Sequence, residues 1–286
     1  MRILLTNDDG IHAPGIIALH HALTNSPADP PPTKPTPTKS PPTKSPFDEV
    51  VTVAPLTVQS ATGHGLTFHK PLAITNETVN DHMQGIAVNA RPADCVKLAL
   101  TCLWPDRFGE GARPDLVISG MNAGANCGIN VIYSGTVAAA LEAAFLGVPA
   151  IAVSLMLGNH EPDYACGATH ARRAIDAVLA HGPLEPHTCL SINIPPCEAD
   201  NPHRHDPLPL KVCPMNTHGL QDGYERRVSP GGAVYYWANR SGLEFRHTDP
   251  GSDVSELFAG AITLTPLKYD LTEHDHLHLW QGELEG

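Results

Sequence analysis

The sequence predicts an α/β fold, with a mostly parallel sheet that carries helices on both faces and a β-hairpin near the C-terminus. Three observations support this. Through the first two thirds of the chain, short apolar runs alternate with segments of helical periodicity. The chain has 286 residues, of which 42% are hydrophobic, so it can bury a large core. Around residue 230, two strand-like segments flank a Pro-Gly-Gly turn.

The predicted strands are short apolar runs that stop at polar or turn-forming residues. They cover residues 2–7, 48–55, 115–119, 148–155 and 190–194. The predicted helices have apolar residues at helical spacing and cover residues 15–23, 92–103 and 136–146. Pro92 suits the first turn of the second helix, and Gly147 suits the C-terminal end of the third. Strands and helices that alternate in this order predict a parallel sheet covered on both faces.

The chain is expected to divide into a core, residues 1–200, and a C-terminal region, residues 201–286, that completes the same domain. The C-terminal region contains the predicted hairpin, residues 224–228 and 233–237. Its adjacent aromatic side chains must be covered from water by other parts of the protein or by a second subunit. We expect this arm either to fold back or to pair with another subunit.

One segment of the core, residues 26–46, has a composition of its own. It holds nine of the chain's 28 prolines and repeats Pro-Thr-Lys at a five-residue period. We interpret it as a solvated loop insert between the first helix and the second strand, on the sheet edge away from the polar strand ends. The alternative is a ligand for a proline-recognition module.

Composition excludes several classes of function. The net charge of −12 disfavours binding to duplex nucleic acid or to an anionic membrane. No apolar run approaches membrane-spanning length, so we expect a cytoplasmic protein. The seven cysteines are odd in number and contain no Cys-x-x-Cys, which predicts reduced, packed thiols rather than a disulfide framework or a zinc ribbon.

Polar segments follow the predicted strands where ligands usually bind. In an open parallel sheet, ligands bind at the carboxyl ends of the strands. The polar segments at those ends are residues 7–10, 59–64, 119–126 and 133–136.

Asp8 and Asp9 form an acidic pair directly after the first strand. Two neighbouring carboxylates repel each other unless a cation or a basic group lies between them. A hydroxyl such as that of Ser60 and an amide oxygen such as that of Asn122 would complete an oxygen site that suits magnesium better than zinc. In the alternative interpretation, Asp8 caps the following helix and Asp9 is solvated.

Ser134, Gly135 and Thr136 precede the Ala-rich third helix. Their hydroxyls, together with the free N–H groups of the helix N-terminus, predict an anion site for which phosphate is the natural occupant. The alternative is ordinary helix capping by Ser134 or Thr136 without a ligand.

Other catalytic signatures are missing from the sequence. It has no Gly-x-Gly-x-x-Gly fingerprint, no Walker A lysine and no Gly-x-Ser-x-Gly elbow. His12 follows the first polar segment and His64 ends the second, and either could donate a proton to a phosphate or a leaving group. The alternative for both histidines is a packing role.

Six blocks of the sequence together resemble the SurE family of metal-dependent nucleotidases. They are ILLTNDDGIHAPG from residue 3, VAPLTVQSATGHGLT from 53, RPADCVKLAL from 91, PDLVISGMNAGANCG from 114, VIYSGTVAAALEA from 131 and SDVSELFAGAITLTPL from 252. The resemblance covers nearly the whole chain and keeps the family's order.

The resemblance implies a Rossmann-like core and a phosphomonoesterase of the 5′-nucleotidase type, which releases phosphate from nucleoside monophosphates. It further implies one divalent ion per subunit, magnesium or manganese, and a homodimer or homotetramer built through the C-terminal arm. Short polyphosphate is a further candidate substrate. Duplex nucleic acid and membranes are not expected partners.

Position by position, the resemblance also implies roles for individual residues. The family's metal ligands fall on Asp8, Asp9, Ser60 and Asn122, and the two aspartates are the catalytic pair. Its phosphate-contacting groups fall on Asn122, Asn126, Ser134, Gly135 and Thr136. Hydrolysis would be in-line, with Asp8 or Asp9 orienting the attacking water or accepting its proton.

The sequence departs from the family pattern at Ala90-Arg91, where the family usually has Gly-Thr, and in the proline-rich insert. The arginine adds bulk and positive charge beside the site and could alter substrate preference.

Two rival functions stay open. A response-regulator receiver domain, the rival from another class, needs a phosphoacceptor aspartate after the third strand, where this chain has Ser-Gly-Met-Asn. A polyphosphatase or general acid phosphatase is the rival that would use the same site.

Overall fold

The computed structural model describes residues 1–25, 47–221, 223–238 and 244–285. The proline-rich insert predicted at residues 26–46 therefore lies outside the described residues. The elements found in the described ranges are eleven strands and seven α-helices. The strands are β1 (Arg2–Thr6), β2 (Glu49–Pro55), β3 (Ile74–Asn80), β4 (Met83–Val88), β5 (Leu116–Ala123), β6 (Ala150–Leu155), β7 (Cys189–Ile194), β8 (Leu210–Val212), β9 (Tyr224–Val228), β10 (Val234–Ala238) and β11 (Ile262–Leu267).

The helices occupy the segments between these strands and the C-terminal end. They are α1 (Pro14–Thr24), α2 (Pro92–Leu98), α3 (Trp104–Phe108), α4 (Gly135–Phe145), α5 (Tyr164–Leu179), α6 (Asp253–Phe258) and α7 (His274–Leu284). A π-helical turn, Ala99–Leu103, joins α2 to α3, and a 3-10 helix covers Gly128–Tyr133. None of the described helices combines the length and the apolar character needed to cross a membrane.

Nine of the described strands form one sheet in the order β3-β4-β2-β1-β5-β6-β7-β11-β8. The strands from β4 to β7 in this order are mutually parallel, whereas β3 and β11 run antiparallel to β4 and β7. After β1 the chain forms β2 on one side of β1, and it later returns to form β5 on the other side of β1. The strand order therefore reverses beside β1, which is where an open α/β sheet binds ligands.

Both faces of the sheet are covered by helices, as the sequence predicts. Ile3 and Leu5 of β1 point into one apolar core and Leu4 points into the other, because successive strand residues face opposite sides. Helices α1 and α5 pack together on the first face, and α2 and α4 pack together on the second. Burial on both faces explains why β1 is apolar throughout rather than alternating.

Several elements differ from the sequence-based prediction. Helix α5 and the β3–β4 pair were not predicted, and the predicted helix at 92–103 continues through the π-turn into α3, as far as Phe108. Strand β3 is polar and mostly exposed at the sheet edge, so its sequence lacks an apolar run. Helix α5 combines charged and apolar residues in a segment that also contains Gly167, which weakens its helical signal.

The predicted hairpin is confirmed. Strands β9 and β10 pair antiparallel, and Ser229 and Ala233 close the turn with a backbone hydrogen bond of 2.8 Å. All residues of both strands are exposed, including Tyr236 at 60% and Trp237 at 63%. Within the described residues, the arm does not fold back onto the core.

Arg172 of α5 fixes the chain on both sides of the insert. Its guanidinium is buried, and Nη1 donates to the carbonyl oxygens of Ala22, Leu23 and Asn25 at 2.7, 3.3 and 3.3 Å. The same group lies over the ring of Phe47, 4.5 Å from its centroid. One side chain therefore contacts the residue before the insert and the residue after it, so these two points are close in space.

We predict that replacing residues 27–45 with a short Gly-Ser linker leaves the fold intact. Stability should rise by no more than about 1 kcal/mol, because shortening a loop changes its closure entropy only slowly. Arg172→Met in the full-length chain is the matched destabilising variant and should cost about 2 kcal/mol, since the helix carbonyls lose a charged donor. Thermal and denaturant unfolding measure both changes. A deletion variant that unfolds as readily as Arg172→Met would show that the insert supports the core.

Candidate metal and phosphate site

A cavity of about 270 Å³ lies at the carboxyl ends of the central strands. Among the residues that line it are five of the sequence-predicted site residues: Asp8, Ser60, Asn122, Asn126 and Ser134. They come from four separate segments of the chain. The Gln59 N–H donates to the Asp8 carbonyl oxygen at 2.7 Å, which holds the Ser60 segment against the end of β1.

Asp8 is buried against the first turn of α4. Its Oδ1 accepts a hydrogen bond from the Thr136 hydroxyl at 2.5 Å. Gly135 allows this approach, because a Cβ there would lie 2.9 Å from both Cβ and Oδ2 of Asp8. Burial raises the pKa of Asp8 to about 6; the bond from Thr136 opposes the rise, and the negative charge of Asp9 adds to it.

Asp9 follows Asp8 after β1 and turns toward the end of the neighbouring strand β5. Its Oδ2 accepts a hydrogen bond from the Ala123 N–H at 2.9 Å, which places the carboxylate beside Asn122. Burial raises its pKa, and the bond from Ala123 counteracts part of that rise. The alternative in which Asp8 caps the following helix is not observed, because the N-cap of α1 is Ala13.

Asn122 and Asn126, the two sequence-predicted asparagines of the cavity wall, are held by hydrogen bonds. Asn122 Nδ2 donates to the Gly124 carbonyl at 2.7 Å, which orients its side-chain amide. Asn126 Nδ2 donates to Ser154 Oγ at 2.8 Å, and its backbone N–H donates to Asn193 Oδ1 at 2.8 Å. The Asn193 amide donates in return to the Asn126 carbonyl at 3.1 Å. The phosphate candidate Asn126 is thus anchored to β6 and β7.

The three residues at the start of α4 take different positions. Ser134 is the N-cap, and its Oγ accepts from the Val137 N–H at 3.0 Å, as the capping alternative predicts. It also lines the cavity, and its hydroxyl proton can still be donated outward. Gly135, Thr136 and Asp9 are not among the cavity-lining residues. Gly135 and Thr136 pack against Asp8 from the start of α4, and Asp9 is the next residue along the chain.

The donor groups at this site fit a hard divalent cation. Asp8, Asp9, Ser60 and Asn122 offer only oxygen atoms, the ligands that magnesium and manganese prefer. Two adjacent carboxylates, one of them buried, carry a charge repulsion that a cation would relieve. Burial and the negative charge of Asp9 both raise the pKa of Asp8, and a bound cation would favour its charged form instead.

Sequence reasoning missed four residues of the site and its support. Asn130 and Tyr133 line the cavity from the 3-10 helix between Asn126 and Ser134. Ser154 and Asn193 hold Asn126 from behind. The available signal was a polar residue one position before the end of an otherwise apolar strand, as in AIAVSL and CLSINI.

The two histidines of the polar segments are paired with carboxylates. His64 Nε2 lies 2.8 Å from Oε2 of the buried Glu142, whose Oε1 contacts Lys97 Nζ at 3.2 Å. Burial disfavours the charged form of Glu142, but these two partners hold its pKa below the usual value. His12 Nε2 lies 3.4 Å from Glu77 Oε2. For His64, the structure favours the packing role, because its contact ties the Ser60 segment to α4.

Arg91 lies at the N-terminus of α2, and its Nη1 donates to the Leu66 carbonyl at 3.5 Å. Asp94 accepts from the Thr67 N–H and hydroxyl at 2.9 and 2.7 Å. These contacts fix the chain that follows the Ser60 segment. Arg91 is exposed and is not among the residues lining the cavity.

Comparison with known proteins agrees with this geometry. A family model described as "Survival protein SurE" matches residues 41–220. The 5′-nucleotidase SurE of Heliobacterium modesticaldum is 40% identical over 277 residues, which cover 96% of this chain and 88% of the relative. The 5′-nucleotidase SurE of Desulforudis audaxviator is 36% identical over 291 residues and covers 100% of both chains.

A solved structure gives the same result for the fold. The crystal structure of SurE protein from Aquifex aeolicus superposes with a TM-score of 0.75 at 30% sequence identity, and it covers 100% of both chains. The sequence blocks, the parallel sheet with its reversed strand order and the match along the chain all agree. The chain belongs to the SurE family.

Proposed function

We propose that this chain is a divalent-metal-dependent phosphomonoesterase of the 5′-nucleotidase type, which hydrolyses nucleoside monophosphates to nucleoside and phosphate. One observation carries the proposal: the oxygen donors Asp8, Ser60 and Asn122 and the capped N-terminus of α4 meet at one cavity of about 270 Å³. The names of the full-length relatives, 5′-nucleotidase SurE, support the same reaction.

Asp8, Asp9, Ser60 and Asn122 are proposed to hold one magnesium or manganese ion per subunit. When bound, the ion would polarise the phosphoryl group and make an attacking water more acidic. Thr136 fixes the orientation of Asp8, and the Ala123 N–H fixes Asp9. The ligand set is therefore arranged by the protein before substrate arrives, which limits the cost of reorganisation.

The phosphate is proposed to lie between the acidic pair and the start of α4. The Ser134 hydroxyl and the Asn126 amide line the cavity, and the partial positive charge of a helix N-terminus favours a phosphate there. The N–H groups of Gly135 and Thr136 belong to that same helix end. Together these groups would stabilise the charge that grows on the phosphoryl oxygens.

Asp8 and Asp9 are the two groups placed to orient the attacking water and take its proton. The water oxygen forms a bond to phosphorus as the bond to the nucleoside oxygen breaks, and the released alkoxide gains a proton. The reaction needs no covalent phosphoenzyme. A receiver-domain role gains no support, because Met121 and Asn122 follow Gly120 in β5 where a phosphoacceptor aspartate would be required.

The exposed β9–β10 arm is proposed to pair with a second copy of the chain, giving a homodimer or homotetramer. Tyr224, Tyr236 and Trp237 are 72%, 60% and 63% exposed, and contiguous exposed aromatic side chains mark interaction surfaces. In this proposal, residues 201–286 complete the domain of residues 1–200 and also join subunits.

We predict that the purified protein releases phosphate from nucleoside monophosphates with magnesium or manganese and that chelator abolishes the release. Asp9→Asn should remove this turnover, because a neutral amide weakens the cation site. Asp81→Asn, an exposed carboxylate in the β3–β4 turn, is the matched control and should retain wild-type activity. A phosphate-release panel that also includes short polyphosphate measures the preference.

Two results of this panel would contradict the proposal. Near wild-type turnover by Asp9→Asn would remove the assigned metal site. Release from short polyphosphate without release from any nucleoside monophosphate would favour the polyphosphatase reaction instead.

We predict that Thr136→Val lowers kcat/KM or metal affinity by roughly 10–100-fold, the usual cost of losing a group that orients a metal ligand. Valine fills the same space but cannot donate to Asp8 Oδ1. Thr136→Ser keeps the hydroxyl and should retain most of the activity. Metal titrations of steady-state rates measure both variants, and equal losses in valine and serine would mean that packing, not the hydrogen bond, explains Thr136.

We predict that Tyr236→Ser combined with Trp237→Ser reduces the molecular mass seen by light scattering, because the arm loses its apolar contact surface. Phe68→Ser is the matched control, since Phe68 is 77% exposed and lies outside the arm. An unchanged mass for the double variant would show that subunits assemble through another surface, or not at all.

A further inference from the structure

A second cluster of metal-binding side chains lies in α5 and the segment after β7. Cys166, His170 and Cys197 each offer one ligand atom, and these atoms lie within 4.8 Å of one another. All three side chains are buried, with residue exposures of 0%, 1% and 2%. None of them is among the residues that line the cavity beside Asp8.

The fold brings the cluster together by two local features. Cys166 and His170 are four residues apart in α5, so they project from one face of the helix. Cys197 follows β7 by three residues, and its carbonyl accepts from the N–H of Asp163 at 2.7 Å. Asp163 is the N-cap of α5, so this bond ties the segment after β7 to the start of the helix.

The loop beyond Cys197 closes over the cluster. The carbonyl oxygen of Arg204 lies 2.9 Å from Cys166 Sγ and 2.7 Å from His170 Nε2. The Arg204 side chain is fixed in turn, because its Nε donates to Asp163 Oδ2 at 2.8 Å. A fourth potential ligand atom, an oxygen, is therefore in contact with two of the three side chains.

We propose that Cys166, His170 and Cys197 bind a zinc ion that joins α5 to the segment after β7, with the Arg204 carbonyl oxygen in the fourth position. Two thiolates and an imidazole select zinc over the hard cations that suit the oxygen site. In a tetrahedral zinc site, sulfur and nitrogen ligands lie roughly 3.5 Å apart, as follows from the usual zinc–ligand bond lengths. The three ligand atoms, which lie within 4.8 Å of one another, need only move closer together to reach that spacing.

This role is structural rather than catalytic. All four positions are filled by the protein, whereas a catalytic zinc keeps a position for water or substrate. The ion would fix the loop of residues 197–204, which contains no strand or helix. It would also fix the chain just beyond Asn193, the residue of β7 that holds Asn126.

Cobalt substitution tests the proposal on the full-length chain. The reduced protein is stripped with chelator and titrated with Co²⁺, whose bonds to thiolate give a near-ultraviolet charge-transfer band that oxygen ligands cannot produce. The expected result is one equivalent of this band per chain, its displacement by Zn²⁺ and a higher unfolding temperature with zinc. Cys166→Ser and Cys197→Ser should lose the band.

Cys102→Ser is the matched control, because Cys102 is an exposed thiol outside the cluster, and it should keep the full signal. Wild-type protein that shows no thiolate–cobalt band would overturn the proposal without recourse to any variant. So would a band that survives in Cys166→Ser. A non-reduced mass lower by two hydrogens, restored by reductant and absent from both Cys166→Ser and Cys197→Ser, would assign these two cysteines to a disulfide instead and would equally reject the zinc site.

Discussion

The buried carboxylate of Asp8 is the constraint around which this molecule is arranged. A carboxylate at a strand end, next to a second one, is stable only if hydrogen-bond donors or a cation compensate its charge. The first turn of α4 supplies part of that compensation through the Thr136 hydroxyl, and the missing side chain of Gly135 lets the helix come close enough. The Gln59 N–H donates to the backbone carbonyl oxygen of Asp8, which holds the Ser60 segment against the end of β1. The proposed metal and phosphate sites are therefore adjacent because both are built around one residue.

The sheet topology explains why these segments meet at all. Strand β1 is central, with β2 on one side and β5 on the other, so the chains leaving the three strands emerge at one edge. Since β1 and β5 carry connections that leave in opposite directions, a crevice opens between them. Asp9 spans it by accepting from the Ala123 N–H at the end of β5. This hydrogen bond fixes the distance between the ends of β1 and β5 beside the candidate site. A loop without such a contact would leave that distance variable.

Much of this arrangement could be predicted from the sequence, and the failures have physical causes. The apolar runs of strands buried on both faces predicted β1 and its neighbours. The polar segments at or beyond the strand ends made Asp8, Ser60 and Asn122 candidates, and the structure brings these three residues to one cavity. Strand β3 was not predicted because an exposed edge strand has no need of apolar residues. Helix α5 was not predicted because most of its buried residues are small or polar, as Ala171 and Arg172 show. The sequence also could not show that Thr136 faces Asp8, since that contact joins residues 128 positions apart. The Cys166–His170 spacing was readable, but its completion by Cys197 depends on where β7 ends.

The two proposed metal sites differ in the chemistry of their ligand atoms, and this difference would keep them from competing for one ion. Asp8, Asp9, Ser60 and Asn122 are oxygen donors, which would hold a strongly hydrated cation weakly enough to leave room for water and phosphate. Cys166, His170 and Cys197 are softer donors in a buried setting where an exchanging ligand has no access. Strand β7 connects the two: Asn193 anchors Asn126 at the cavity, and four residues later Cys197 is fixed against α5. Any contact that fixes the chain after β7 therefore also restricts the position of Asn126 at the cavity where we propose that phosphate binds.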